Sequence, residues 1–183
     1  MYLAGGVVRD LLLGRPVKDL DLAVEGDAEA YSRSLAEALS ASRRAHGRFG
    51  TATLELPSGD RLDVASTRRE TYAGPGALPD VTSGGPIEED LRRRDFTVNA
   101  LALEVAPGRR LVDPFGGRAD LARGVIRFLH ALSPQDDPTR ALRAVRYANR
   151  LGFRIAPSAR TAIRAAIASG AFRGVSGDRL RRE

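Results

Sequence analysis

Two carboxylates separated by one residue, Asp19 and Asp21, are the side chains whose type and spacing most directly suggest chemistry. They open an alternating polar and apolar run, Asp19 to Val24, that reads as a strand, and side chains at i and i+2 of a strand project from one face. Ligands that are all oxygen imply a hard cation. Mg²⁺ held by one or two carboxylates plus substrate phosphates is the usual arrangement where nucleoside triphosphates are handled. Ahead of the pair stands Gly5-Gly6-Val7-Val8-Arg9-Asp10. Glycines that end a short strand and open a helix present backbone N–H groups to which a phosphate can bind. Taken singly, Gly5-Gly6 fits a plain turn and the acidic pair a solvated edge strand; their order and close spacing favour a phosphate and metal site. A third acid, Asp63, lies in Leu62-Asp63-Val64. It is either a third carboxylate of the site, if its strand runs beside Asp19 to Val24, or a solvent-facing acid on an alternating strand.

The elements that must position these residues follow from pattern. Met1 to Ala4 reads as a strand, Val7 to Leu13 as a short helix stopped by Gly14, and Asp19 to Val24 as the next strand. A helix follows with Asp27 as N-cap and Tyr31, Leu35, Ala38 and Leu39 on its packing face. Thr51 to Leu56 and Arg61 to Ala65 flank Pro57-Ser58-Gly59-Asp60 and should form a β-hairpin. Ser66 to Pro86, with Tyr72-Ala73-Gly74-Pro75-Gly76, is the least regular stretch and reads as a long loop, of a length that is usually either functional or disordered. Ile87 begins a helix with acids in its first turn. Leu101 to Val105 and Leu111-Val112 read as strands around Pro107-Gly108. Arg118 to Ala122 reads as a short helix and Val125 to Leu129 as a strand. From Pro134 onward the pattern is all-helical, with Gly152 as a stop and further helices over Ser158 to Ser169 and from Ser176. In the first of these helices Ala141, Leu142, Val145 and Ala148 fall on a packing face, while Arg143, Arg146 and Arg150 form an arginine stripe.

Composition narrows the class. With 183 residues, 43% of them hydrophobic, the chain can bury a core. There is no cysteine, which excludes disulfides, thiol catalysis and a Cys-based zinc site and fits a reducing compartment. No apolar run approaches membrane-spanning length, and the first residues do not resemble a signal peptide, so no membrane partner and a cytoplasmic location are expected. The net charge of +6 is unevenly placed. Residues 140–183 hold 11 Arg against 2 acids, whereas residues 1–139 hold 18 basic and 21 acidic side chains. A basic C-terminal segment suits a polyanionic partner, although a solvated arginine face gives the same count. The last helix has no stop signal, so the sequence is expected to be truncated there.

The runs Gly-Gly-x-Val-Arg-Asp followed by Asp-x-Asp, Arg-Arg-Asp-Phe-Thr-Val-Asn-Ala, Asp-Pro-Phe-Gly-Gly with Asp-Leu and Ile-Arg, Asp-Asp-Pro-Thr-Arg with Arg-Ala-Val-Arg-Tyr-Ala, and Ser-Gly-Asp-Arg-Leu occur in that order. Together they resemble the five motifs of class II tRNA nucleotidyltransferases and bacterial poly(A) polymerases, in the DNA polymerase beta superfamily. The resemblance spans essentially the whole chain. It implies an α+β fold: a nucleotidyltransferase head with a mixed β-sheet and helices over residues 1–129, then an all-helical neck over residues 130–183. By resemblance Asp19 and Asp21 are the catalytic metal ligands, Gly6 and Arg9 (with Gly5 beside them) contact the triphosphate, and Arg94 and Asn99 contact nucleotide and ribose. Asp113 to Arg127 resembles the segment coupling head to neck. Asp137 and Arg140 resemble the pair that reads the incoming base, with Arg143 and Arg146 as further nucleotide contacts. The base-reading motif opens with Asp136 rather than the usual Glu, and Gly177-Asp178-Arg179 replaces the commoner Ala-Glu-Arg.

The implied activity is Mg²⁺-dependent transfer of CMP or AMP from CTP and ATP to the 3′ end of tRNA. Poly(A) synthesis and a non-catalytic RNA- or nucleotide-binding module are the alternatives, and oligomeric state is not specified. Cytosine and adenine each offer an amino donor beside a ring-nitrogen acceptor. A carboxylate with a guanidinium therefore suits both and opposes uracil and guanine. Three residues apart, Asp137 and Arg140 are expected to be neighbours on one helix face.

Overall fold

The computed structural model describes residues 1–17, 19–46, 50–71, 80–105, 108–181 and 183. Its strands are β1 (Tyr2–Ala4), β2 (Asp19–Val24), β3 (Ser42–His46), β4 (Thr51–Glu55), β5 (Arg61–Ser66), β6 (Arg68–Thr71), β7 (Asp80–Ser83), β8 (Ala102–Glu104), β9 (Leu111–Val112), β10 (Val125–Ile126) and β11 (Arg154–Ile155). Its helices are α1 (Gly6–Leu12), α2 (Ala28–Leu39), α3 (Ile87–Arg92), α4 (Gly117–Arg123), α5 (Ser133–Asp136), α6 (Thr139–Leu151), α7 (Pro157–Ala168) and α8 (Gly177–Arg181). The fold is α+β, with a seven-stranded mixed sheet in the order β3-β4-β5-β2-β1-β8-β9.

Alternation decides which face of that sheet is dry. Leu22, Val24, Leu54, Leu62 and Val64 form a core with Ala28 and Ala36 of α2, and Leu20, Tyr31 and Leu35 pack against it. Burying an aliphatic side chain of this size contributes about 1.5–3 kcal/mol, so the register is strongly specified. The alternate residues, Asp19 and Asp21 among them, fall on the other face. Asp27 caps α2 as expected, its carboxylate accepting from the N–H groups of Glu29 and Ala30.

Two helical faces differ from expectation. The buried residues of α2 are Ala28, Ser32 and Ala36, while Ala38 and Leu39 are exposed. Ser32 is tolerated inside because its hydroxyl donates to the Glu29 carbonyl and accepts from Arg43 Nε. On α6 the buried residues are Thr139, Arg140, Ala141, Ala144 and Leu151, whereas Leu142 and Val145 are 39% and 57% exposed. An arginine with a satisfied head group and an apolar stem packs as core, and this turns the helix relative to a pattern that counts Arg as polar. Gly152 ends α6 at φ 73°, a conformation L side chains rarely adopt.

The loop expected over Ser66 to Pro86 has strands at its flanks: β6 and β7 pair as a separate two-stranded sheet. Tyr72 to Gly76, singled out within it, lie outside the described residues, as does Pro107. The helical C-terminal stretch contains one short strand, β11, parallel to β10. The expected strand to Leu129 is two residues long, with Phe128 in an isolated bridge to Phe96. Among the described residues no helix is long and apolar enough to cross a membrane. The chain divides into two compact units: Met1–Arg69, Val81–Arg93 and Asn99–Pro114 form one; Glu70–Asp80, Arg94–Val98 and Phe115–Glu183 form the other.

Candidate active site

In the first unit Asp19 and Asp21 are both exposed on β2. The strand runs parallel to β5 with Asp19 opposite Arg61 and Asp21 opposite Asp63. The hairpin of β4 and β5 therefore does lie beside the acidic pair. Asp63 is not simply solvated: it accepts from Thr53 Oγ1 at 2.6 Å and from Arg61 Nε and Nη2 at 3.2 and 3.1 Å. On its other side β2 pairs antiparallel with β1, Leu3 facing Leu22. Continuing that register carries Ala4 and Gly5 alongside Asp21 and Leu20.

Gly5 has φ 84° and caps α1. Its N–H donates to the Leu101 carbonyl at 2.9 Å, so of the two glycines expected to offer N–H groups to phosphate, Gly5 contributes its backbone conformation instead. Gly6 begins the helix, and a Cβ there would come within 3.4 Å of Arg9 Nη2. Arg9 is only 2% exposed. Its guanidinium donates to Asp10 at 2.8 and 2.9 Å and to Asn99 Oδ1 at 2.6 Å. That bond fixes which end of the buried Asn99 carboxamide is the acceptor.

In the second unit Asp137 and Arg140 are not neighbours on a helix face. Asp137 lies between α5 and α6 in an extended conformation, φ −133° and ψ 99°. Pro138 follows it, and the residue before a proline is driven out of the helical region. The Asp137 carboxylate accepts from the Thr139 N–H (3.1 Å), the Thr139 hydroxyl (2.8 Å) and Arg179 Nη2 (3.0 Å). Arg140 is 5% exposed and its Nη1 donates to Ser133 Oγ at 2.7 Å. The two are linked through the backbone, the Arg140 N–H donating to the Asp137 carbonyl at 3.0 Å.

Arg143 and Arg146 have carboxylate partners here. Arg143 donates to buried Asp95 from Nε at 2.9 Å and pairs with Glu183 at 3.3 Å; Arg146 pairs with Glu183 at 2.8 Å. Both, with Arg150, lie within 6 Å of the Tyr147 ring centroid. Burial works against the Arg143 charge, but Asp95 prevails by charge and hydrogen bond, holding the guanidinium pKa above the ordinary arginine value. Arg94 is half-buried in the same unit.

Residues 1–127 match the family model described as the poly(A) polymerase head domain. The A-adding tRNA nucleotidyltransferase of Halalkalibacterium halodurans is 48% identical over 156 residues, 84% of this chain and 36% of that protein. A solved CCA-adding enzyme, in its apo form II, matches with a TM-score of 0.94 at 42% identity, over 99% of this chain and 43% of that one. A tRNA nucleotidyltransferase complexed with a primer tRNA and an incoming ATP analog matches with a TM-score of 0.86 at 39% identity, over 98% and 50%. This chain belongs to the class II CCA-adding tRNA nucleotidyltransferase and poly(A) polymerase family. It spans 36% to 50% of the length of these relatives.

Several residues inside the quoted motifs, given no individual role by the sequence, make buried contacts within the second unit. Asp120, 3% exposed, accepts from Thr97 Oγ1 at 2.7 Å and from Arg127 at 2.9 and 3.0 Å. Phe96, fully buried, sits 5.4 Å from the Phe128 ring and 5.6 Å from Tyr147. Both lie in or beside runs rich in charge, Arg118 to Arg123 and Arg92 to Asp95, where nothing local separates a buried acid or ring from a solvated one. The donors on β2 suit Mg²⁺: two exposed carboxylates on one strand face supply hard oxygen ligands and leave other positions for phosphate. Among the described residues no three acidic or imidazole side chains form a metal-holding cluster.

Proposed function

We propose that this chain transfers CMP, AMP or both from CTP and ATP to the 3′ end of tRNA, using Mg²⁺ held by Asp19 and Asp21. Residues 1–129 act as the head and residues 130–183 as a helical neck, in a cytoplasmic enzyme. The observation that carries this reading is the exposed acidic pair on β2, in register with Asp63 on one side and adjoining the Gly5-Gly6 turn on the other. The relatives bear on the partners: one is an A-adding enzyme, and another was solved with primer tRNA and an ATP analog.

In this reaction the RNA 3′-hydroxyl attacks the α-phosphorus, a new P–O bond forms as the bond to the β-phosphate breaks, and pyrophosphate leaves in line. Bound Mg²⁺ supplies charge neutralisation at the phosphates and lowers the pKa of the attacking hydroxyl. Asp63 stands beside Asp21 as a third carboxylate, ready to accept the hydroxyl proton once Arg61 yields it. Gly6 opens α1 toward the triphosphate, and Arg9 holds Asn99 for the ribose. Asp137 accepts from the amino group of cytosine or adenine while Arg140 donates to the neighbouring ring nitrogen; Arg94, Arg143 and Arg146 supply further nucleotide contacts. A poly(A) polymerase is the second reading, favoured by the description of the family model itself. A non-catalytic binding module would have no use for the acidic pair.

Replacing Asp21 with Ala tests the assignment. Incorporation should fall at least about a hundredfold with the thermal midpoint unchanged, because an exposed metal ligand is lost and no core atom is. Near-normal turnover by Asp21→Ala would overturn it.

A further inference from the structure

The polar face of the sheet carries a second feature that the acidic pair does not explain. Over β3, β4 and β5 lies a cavity of about 350 Å³ whose lining includes Arg43, Arg44, His46, Thr53, Glu55 and Arg61. On this face the guanidinium groups of Arg44 and Arg61 and the imidazole of His46 stand with one carboxylate, Glu55, while Arg43, opposite Leu54, turns to the α2 side of the sheet. Two of the arginines are committed: Arg43 donates to Ser32 Oγ at 2.8 Å, and Arg61 pairs with Asp63 at 3.0 Å. Arg44, exposed on β3, makes no hydrogen bond or ion pair with any described residue. An anion entering the cavity would find there a cation that none of the described residues engages.

The cavity is joined to the acidic pair by register and by hydrogen bonds. Arg44 lies opposite Thr53, Thr53 opposite Asp63, and Asp63 opposite Asp21. Three strand spacings of 4.7–4.9 Å separate Arg44 from Asp21, about 14 Å, a distance the last few nucleotides of an RNA strand can span. Thr53 spends its one hydroxyl proton on Asp63, and His46 Nε2 lies 3.1 Å from the same oxygen. His46 therefore donates from Nε2, and the chain His46 to Thr53 to Asp63 runs from the cavity wall to the carboxylate beside Asp21.

Sheet order selects the occupant. The Gly5-Gly6 turn follows β1 on one flank of β2, and β5, β4 and β3 extend from the other flank. An in-line displacement needs the attacking and leaving oxygens on opposite sides of the α-phosphorus. With the triphosphate on the Gly5-Gly6 flank, the acceptor strand arrives over β5. We propose that the cavity over β3 to β5 binds a phosphodiester of the RNA strand carrying the acceptor 3′-hydroxyl, with Arg44 as its principal contact and His46 beside it. This rests on the function proposed above.

The test compares wild type, Arg44→Ala and Arg44→Lys for binding to a short single-stranded RNA with a free 3′-hydroxyl and, separately, to ATP. Arg44→Ala should weaken RNA binding about three- to tenfold and make the slope of log affinity against log salt shallower by about 0.7, the loss of one phosphate contact. Arg44→Lys should restore most of the affinity, and ATP binding should stay within twofold for both variants. A 4-thiouridine near the RNA 3′ end should crosslink to β3 or β4. Weakened ATP binding with unchanged RNA binding would assign the cavity to the triphosphate and overturn the proposal, as would equal weakening of both or no change in either. Incorporation by wild type is read independently: a chain that binds RNA through Arg44 but transfers no nucleotide would remove the proposed function and keep the groove.

Discussion

Asp137 is held by three donors, two from Thr139 and one from Arg179, and it sits at a proline-set bend rather than within a helix. A carboxylate fixed at so many points is pre-organised as an acceptor, and Arg140, buried against Ser133, is equally constrained. If Asp137 reads the base as proposed, replacing it with Ala removes the acceptor for the amino group of cytosine or adenine, while Arg140 still donates to a carbonyl oxygen. Relative kcat/KM for UTP or GTP against CTP or ATP should rise by more than about tenfold, read from incorporation of all four nucleotides. Unchanged preference would show that the base is read elsewhere. His130 supplies a pH handle in the same unit. Burial lowers its pKa below 6.5, Asp136 at 3.7 Å partly opposes this, and Arg140 adds to the lowering. With the folded pKa depressed, the unfolded chain binds the proton more readily, so this contribution is present above about pH 6.5 and is lost as pH falls through the folded value. Thermal midpoints measured from pH 7.5 to 5 should decline less steeply for His130→Gln than for wild type. Identical slopes would place the pH response elsewhere.

At the scale of elements, α6 shows how a face is chosen. Ala144 is fully buried, while Val145, the next residue, is 57% exposed. Ala144→Leu should destabilise the chain by about 1–3 kcal/mol in urea unfolding, whereas Val145→Ala should change it by no more than about 0.5 kcal/mol. Equal effects would mean the helix is turned as its residue types suggest. Hydrophobic type alone puts Leu142 and Val145 inside, because Arg143 falls on the arginine stripe and nothing in the pattern places Arg140 in the core. Their partners, Ser133 at 2.7 Å and Asp95 at 2.9 Å, are 7 and 48 positions away in sequence. The sheet around the acidic pair was more legible. β2, β4 and β5 alternate cleanly and the turn residues between β4 and β5 are explicit, so the hairpin and the shared face of Asp19 and Asp21 could be read directly. β3 was not legible: Ser42-Arg43-Arg44-Ala45-His46 has almost no apolar alternation, because an edge strand with a helix over one face needs little. Pairing between strands far apart in sequence, such as Asp21 with Asp63, was conditional until the register was known.

For the whole molecule, charge and chemistry are separated along the chain. The acidic pair and the Gly5-Gly6 turn belong to one compact unit, while residues 140–183, with 11 Arg against 2 acids, belong to the other. That division fits an enzyme whose reacting phosphates are handled by few, placed groups and whose polyanionic substrate is met by diffuse charge. The most direct test of the central claim is incubation of the protein with Mg²⁺, tRNA lacking its 3′ end and each labelled nucleoside triphosphate in turn. Label from CTP, ATP or both should join the tRNA, UTP and GTP should give at most a small fraction of that, and chelation of Mg²⁺ or the double change Asp19→Asn with Asp21→Asn should abolish it. No incorporation from either CTP or ATP, or undiminished incorporation by the double variant, would contradict the account.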